Sequence, residues 1–445
     1  MKKKMEAHPY VPRDLHLPGY APCFLSMSNI LSVFASSSLL IVTLVWIFSG
    51  RFKKTKVDRV LMCWWAFTGL THIILEGYFV FSPEFFKDKT GFYLAEEYSK
   101  GDSRYAGRDA GVVTVEGITA VLEGPASLLA VYAIATGKSY SYILQFAISL
   151  GQLYGTAVYY ITAILEGDNF STNSFYYYAY YIGANASWIV IPLIIAIRCW
   201  RKICAAFRVQ GGQTKKPKKK KMEGSRVSES EGHPYVPRDL HLPGYVPCFL
   251  SVSNILSVYV FSSLLLLSLV WIFSGRLMKT TVDRLLMCWL AFTGLTHTII
   301  EGYFVFSPEF FKDRNGFYLA EEYSKADSRY AGRNAVVVTF ESLTAVLVGP
   351  PCLLAVYAIA TGKTYSYILQ FAISLGQLYG SAFYYITAIL EGDNFSVNSF
   401  YYYAYYIGAN ASWIVIPSIV GIRCWGKICE AFRIQGGQTK KPKVR

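Results

Sequence analysis

Phe67 to Phe86 reads FTGLTHIILEGYFVFSPEFF, and Phe292 to Phe311 reads FTGLTHTIIEGYFVFSPEFF. The step from one to the other is 225 residues, and the rest of the chain follows it. HPYVPRDLHLPGY occurs at His8 to Tyr20 and at His233 to Tyr245, and YYIGANASWIVIP at Tyr180 to Pro192 and at Tyr405 to Pro417. A chain of 445 residues would ordinarily be read as roughly two to four soluble domains. Here it is one unit of about 220 residues written twice in tandem, divided at 1–222 and 223–445. Two copies this alike have had little time to diverge, so their differences carry more information than their agreement.

Composition fixes the environment. Hydrophobic residues make up 53% of the chain and charged residues only 16%, too few to cover a water-soluble surface. Each copy holds five apolar stretches near the ~20 residues that cross a bilayer as helix, and β-barrel spans would be half that length with strict alternation. In the first copy they fall at Phe24 to Phe48, Val60 to Phe81, Val112 to Thr136, Tyr142 to Leu165 and Tyr178 to Ile197. The expected fold is therefore all-α: a polytopic membrane helix bundle with five transmembrane helices per copy. The first apolar run is too long for a signal-peptide core and lacks a small-residue cleavage pattern, so it reads as a retained anchor. Nine cysteines without metal-ligand spacing argue against a disulfide framework.

The net charge of +14 is concentrated in short runs, which read as flanks of membrane spans rather than as a nucleic-acid surface. Gly50 to Arg59 (GRFKKTKVDR) and Arg201 to Lys221 are basic, whereas Glu166 to Ser174 (EGDNFSTNS) is acidic. The positive-inside rule puts the basic segments in the cytosol and the N-terminus of the copy, with the acidic loop, in the lumen. Five spans then deliver the chain to the cytosol, yet the second copy repeats the same flanks and needs to start in the lumen. Either the second copy is inverted, or one span fails to cross, or the linker is not continuous in the mature protein. Met222, directly after KKPKKKK, resembles a fresh start, which favours a fused reading frame or a recent in-frame duplication. The equivalent sequons at Asn169 and Asn394 distinguish the cases, because glycan on both shows a shared orientation.

Charged groups at bilayer depth are costly and mark function by default. Span two carries His72 and Glu76, four apart and about 6 Å from each other on one helical face. Span three carries Glu116, Thr119 and Glu123 at i, i+3 and i+7, and span five carries Asn185 and Trp188. The second copy repeats the set as His297, Glu301, Glu341, Thr344, Asn410 and Trp413, but has Val348 in place of Glu123, which marks Glu123 as dispensable. An imidazole and two carboxyls facing each other in an apolar cavity form a proton relay. An indole face adds cation stabilisation worth ~2 kcal/mol or more when desolvated. Acid, base and cation-stabilising aromatic, all within the lipid phase, suit protonation and deprotonation of a lipophilic alkene. The competing reading is an interhelical His–Glu clamp with Asn as packing glue.

Weaker signals are absorbed more simply. One intramembrane histidine per copy falls short of a zinc or bis-histidine haem site, and no phosphate-cradling glycine loop is present. Phe175 to Ala184 (FYYYAYYIGA) reads as an interfacial aromatic belt, and Gly124-Pro125 as a kink beside the polar cluster. KKPKKKK reads as a cytosolic tail facing anionic lipid.

Taken together, THIILEGYFVF, EEYSKGDSRY, VEGITAVLEGP, SLGQLYG and ANASWIVIP resemble the emopamil-binding protein family of sterol Δ8–Δ7 isomerases, the plant form in particular. The resemblance covers essentially all of each copy, in order. It implies a cofactor-free five-helix protein of the endoplasmic reticulum membrane that acts on a sterol, binds lipophilic cationic amines as inhibitors and works as a dimer. In this chain the pairing would be between copies or between chains. The resemblance also implies roles: His72, Glu76 and Glu116, with His297, Glu301 and Glu341, as catalytic residues, and Thr119, Asn185 and Trp188, with Thr344, Asn410 and Trp413, as substrate-binding ones. Glu116 with His72 would protonate C9, Trp188 and Glu76 would stabilise a C8 cation, and loss of a C7 proton would follow. Which residue takes that proton stays open. The alternatives are a non-catalytic sterol or amine receptor of the same fold and a transporter-like repeat protein; the transporter is disfavoured by direct rather than inverted repeats. The final KPKVR has the lysine spacing of a retrieval signal.

Overall fold

The computed structural model describes residues 8–87, 93–208, 251–312 and 318–438, with isolated positions between 234 and 245. The basic junction around Met222 and the final five residues lie outside this set. Every regular element among the described residues is helical, and nine helices are long and apolar enough to cross a membrane. The chain is an all-α polytopic bundle. It divides into two compact units, Met1–Lys202 with Phe432–Arg445, and Ile203–Ala431.

In the first unit the spans are Met27–Phe52, Lys56–Phe81, Ala110–Thr136, Ser141–Leu165 and Ser174–Arg208. In the second, Val252–Arg276, Thr281–Phe306, Ala335–Ala360 and Tyr401–Gln435 qualify. The expected fourth span there is the 25-residue helix Ser366–Leu390, equal in length to Ser141–Leu165. It differs from its counterpart only by Thr156 to Ser381 and Val158 to Phe383, and both changes lower a mean hydropathy already marginal at 1.2.

Local chemistry sets the ends of these helices. Thr55 accepts the Asp58 N–H at 3.1 Å and Asp109 accepts the Val112 N–H at 2.9 Å, each satisfying an amide that the first helical turn cannot. At the basic end of span two, Arg59 lies over the Trp46 ring at 4.0 Å and donates to the Trp46 carbonyl, while Arg198 of span five pairs with Asp58 at 2.9 Å. Span one is otherwise scarcely covered, and Leu39, Leu44 and Ile47 are exposed along it. In a bilayer such a surface meets lipid or another protein.

Spans two and three approach closely at two glycines. A Cβ on Gly124 would stand 2.6 Å from Ile73 Cγ1, and one on Gly69 would stand 2.9 Å from Leu128 Cδ2. That crossing brings the polar residues of the two spans together. Next to it each helix loosens: a π turn covers Thr71–Glu76 in span two and Thr119–Glu123 in span three, and a third covers Tyr177–Ala184 in span five. The second unit repeats all three at Thr296–Glu301, Thr344–Val348 and Tyr401–Ala409. The disturbance expected at Gly124-Pro125 is thus a change of helical pitch immediately before the proline, which itself sits in the first turn of the resumed helix where its missing N–H does no harm.

Candidate active site

The three π turns surround one cavity of about 540 Å³ in the first unit. Such turns recur at functional sites because the extra residue per turn swings side chains off the regular helical face. His72 and Glu76 come from the first, and Nδ1 of His72 lies 2.6 Å from Glu76 Oε2. The Thr119 hydroxyl donates to the same Glu76 oxygen and also to the Glu116 carbonyl at 2.9 Å. Thr119 thus ties the Glu76 carboxyl of span two to the backbone of Glu116 in span three, and both carboxyls line the cavity.

Trp188 completes the wall. Its ring centroid lies 5.0 Å from that of His72, and Trp64 backs it at 5.6 Å. Pro192, four residues further along span five, removes the amide that would otherwise bond the Trp188 carbonyl. Asn185 donates to the Tyr98 hydroxyl and to the Tyr181 carbonyl, both at 2.8 Å. All six residues singled out in the first copy therefore line one cavity. Glu123 does not join them. The wider pitch of Thr119–Glu123 turns it toward span four, where it presses on Gly151, and neither carboxyl oxygen has a hydrogen-bond partner.

In the second unit His297 Nδ1 lies 2.6 Å from Glu301, Thr344 donates to Glu301 and to the Glu341 carbonyl, and Trp413 stacks 4.9 Å from His297. Asn410 bonds Tyr323 and Tyr406 as Asn185 bonds Tyr98 and Tyr181. The polar set is thus duplicated contact for contact. The cavity is not, because only about 60 Å³ remains around it.

Sequence reasoning missed three contributors. Gln152 of span four meets the second ring nitrogen of His72 at 3.2 Å, as Gln377 meets His297. With Nδ1–H given to Glu76, the Gln152 amide donates to Nε2; flipped, its oxygen accepts from a protonated ring, so it can accompany either state. The signal was present, since Gln145 and Gln152 are two amides seven apart in one span, both buried. Tyr105 donates to Glu116 Oε1. Burial first, and then the Glu116 charge, hold its phenol well above the ordinary value, so it stays a donor. Tyr98 is shifted the same way by burial and then by Asp102 and Glu116.

Both tyrosines hang from the third contributor, a buried ion pair in the loop before span three. Arg104 grips Asp102 at 2.8 Å, reaches Thr162 at 3.1 Å and stacks on Tyr159 and Phe170 at 4.9 and 5.0 Å. Burial pulls the guanidinium pKa down, but Asp102 more than reverses this and raises it. Around the pair sits an aromatic core of Phe79, Phe85, Phe86, Tyr159 and Tyr181 with Val112 and Val113. The pair fixes the height of Tyr98 and Tyr105 over the acids.

The fold thus gathers an imidazole, two carboxyls and an indole into one membrane-embedded cavity under an aromatic roof. The sequence pattern of the EXPERA (EXPanded EBP superfamily) family matches residues 85–199 and again 310–424, and the chain belongs to that family. One relative is a probable 3-beta-hydroxysteroid-Delta(8),Delta(7)-isomerase of Arabidopsis thaliana, 69% identical over 218 residues, 48% of this chain and 97% of that protein. A protein of the same name from Oryza sativa subsp. japonica is 62% identical over 47% of this chain and 97% of its own length. A protoglabretal synthase of Ailanthus altissima is 53% identical over 46% of this chain and 96% of its own length. Each relative is about half as long as this chain.

Proposed function

We propose that the chain is an intramembrane sterol isomerase of sterol biosynthesis, moving a ring double bond from C8–C9 to C7–C8. The observation that carries this reading is the convergence of His72, Glu76 and Glu116, linked through Thr119, on one largely apolar cavity of about 540 Å³, a size that accommodates a polycyclic ligand.

Glu116, steadied by Tyr105, delivers its proton to C9, and the π electrons of the C8–C9 bond form the new C9–H bond. The resulting C8 cation is held by the Trp188 face and the Glu76 carboxylate. The C7–H electron pair then closes the C7–C8 double bond while Glu76 takes the proton, and its transfer to Glu116 resets the site. The cycle leaves protons and electrons balanced without a redox partner. His72 and Thr119 orient Glu76, and Gln152 orients His72. In the second unit the same roles fall to His297, Glu301, Glu341 and Thr344, with Asn410 and Trp413.

The cavity also suits lipophilic amines, because a protonated amine reproduces the C8 cation and binds as a mimic of the transition state. The lysines near the C-terminus support residence in the endoplasmic reticulum. The bare face of span one supports dimerisation, between the domains 1–222 and 223–445 or between chains. The test is expression of the whole chain in cells lacking a sterol Δ8–Δ7 isomerase, with Δ8 and Δ7 sterols measured in extracted lipid. Accumulation of the Δ7 product is expected; an unchanged Δ8 pool would end the isomerase reading.

A further inference from the structure

The two polar sets match, yet the space beside them falls from about 540 Å³ to about 60 Å³. The larger volume lies in the usual range for a site that encloses a drug-sized ligand, whereas the smaller holds about two waters at ~30 Å³ each. All but four of the residues lining the first cavity recur unchanged in the second unit. Leu75 to Ile300 is isomeric, and Thr156 to Ser381 makes the side chain smaller. Phe34 to Tyr259 adds a hydroxyl that reaches Thr296. Val115 to Phe340 alone adds a ring.

Both Val115 and Phe340 line their cavities, one residue before the glutamate of span three. Phe340 packs edge-on against Tyr384 with centroids 5.2 Å apart. Tyr384 cannot step back, because its hydroxyl donates to buried Asp327 at 2.6 Å and Phe383, fully buried, adjoins it in the chain. The ring fills only part of the lost volume, but it stands against a fixed wall directly beside Glu341, where Val115 leaves the approach to Glu116 open.

We propose that this position, Val115 in one unit and Phe340 in the other, decides whether a polycyclic substrate reaches the acid pair, so that the first unit turns sterol over and the second keeps the acid–base set behind a closed door. The proposal rests on the isomerase reading for its substrate class, but its steric content is tested separately. The full chain and its variants are expressed in membranes lacking other Δ8–Δ7 isomerases, and two quantities are measured: Δ8-to-Δ7 conversion, and the unit labelled by a photoreactive Δ8-sterol probe. The wild type labels the first unit alone, and Glu116→Gln lowers conversion at least ~100-fold despite an intact second set. Adding Phe340→Val to Glu116→Gln brings label into the second unit and restores conversion to at least about a tenth of wild type. Val115→Phe, whose ring the open cavity of the first unit can take up, removes label from the first unit. Wild-type label in both units, or half of the conversion surviving Glu116→Gln, overturns the proposal. Label that follows the residue at this position without conversion by any variant sinks the isomerase reading and leaves the steric inference standing.

Discussion

Glu123→Val should stabilise the first unit. The carboxyl is buried, 6% exposed, with both oxygens unpartnered, and it faces Gly151, whose missing side chain makes room for it. The second unit carries Val348 at the same place, 4% exposed, in the same π turn and opposite the equivalent Gly376. Relieving an unsatisfied buried polar group returns ~1–3 kcal/mol, and the added apolar burial brings the expected gain to about 2–3 kcal/mol. At ~2–4 °C per kcal/mol for a unit of this size, the apparent midpoint rises by about 4–12 °C. The assay is thiol alkylation of the full chain in detergent as temperature is raised at one scan rate, read by peptide mass spectrometry. Cys63 reports the first unit and its counterpart Cys288 the second, both buried. A raised midpoint for Cys63 with Cys288 unmoved is expected, and turnover stays at the wild-type level. An unchanged or lowered Cys63 midpoint would refute the reasoning, since the carboxyl would then have water or a partner. A tenfold loss of turnover would instead put Glu123 in the proton path.

Other perturbations follow from the same contacts. Tyr105→Phe removes the donor to Glu116 and is expected to cost ~1–2 kcal/mol of transition-state stabilisation, roughly a tenfold fall in sterol turnover, with substrate affinity little changed. Gln152→Leu leaves His72 Nε2 without its partner; a similar loss together with a displaced pH–rate profile is expected, and an unaltered profile would reduce Gln152 to packing. Asp102→Asn leaves the Arg104 charge buried and less well paired, so the first unit should lose ~3 kcal/mol or more in the same alkylation assay. Glu166, beside Arg104, has its pKa pushed up to about 7 by burial first and Asp109 second, from an ordinary 4.5. It binds its proton more tightly folded than unfolded, so this stabilisation is complete below about pH 4.5 and is lost as pH rises through about 7. The midpoint should therefore decline between those values, and Glu166→Gln should flatten the decline.

The bundle and its polar residues were legible because both are written in local pattern. Apolar runs of bilayer length declare spans, and a charged residue inside one is conspicuous whatever surrounds it. His72 with Glu76, and Glu116 with Thr119, were readable as neighbours within single helices. That the two pairs meet depends on the Gly69–Gly124 crossing, which no spacing rule encodes. Glu123 shows the limit most clearly. Counted at 3.6 residues per turn it shares a face with Glu116, but the wider pitch of Thr119–Glu123 turns it to another helix. Tyr105 and Gln152 escaped for a different reason: tyrosine and glutamine are unremarkable in an aromatic-rich membrane protein until a partner is seen opposite them. Phe340 lines the smaller cavity beside Glu341, and its effect there depends on how firmly Tyr384 behind it is held.

A π turn stores a phase angle. Each residue in a regular helix advances the side-chain direction by ~100°, and the extra residue held in Thr71–Glu76 or Thr119–Glu123 is absorbed within the widened turn, so it redirects the side chains of the turn itself while the helix beyond resumes its phase. Deleting a single residue there would let the helix close to ordinary pitch while keeping its polar groups. Such shortened chains should thread the membrane and fold with the flanking turns in register, yet point the polar side chains of the turn itself away from the cavity. Insertions and deletions in these few residues are thus expected to disarm the cavity while leaving every one of its polar residues in the sequence.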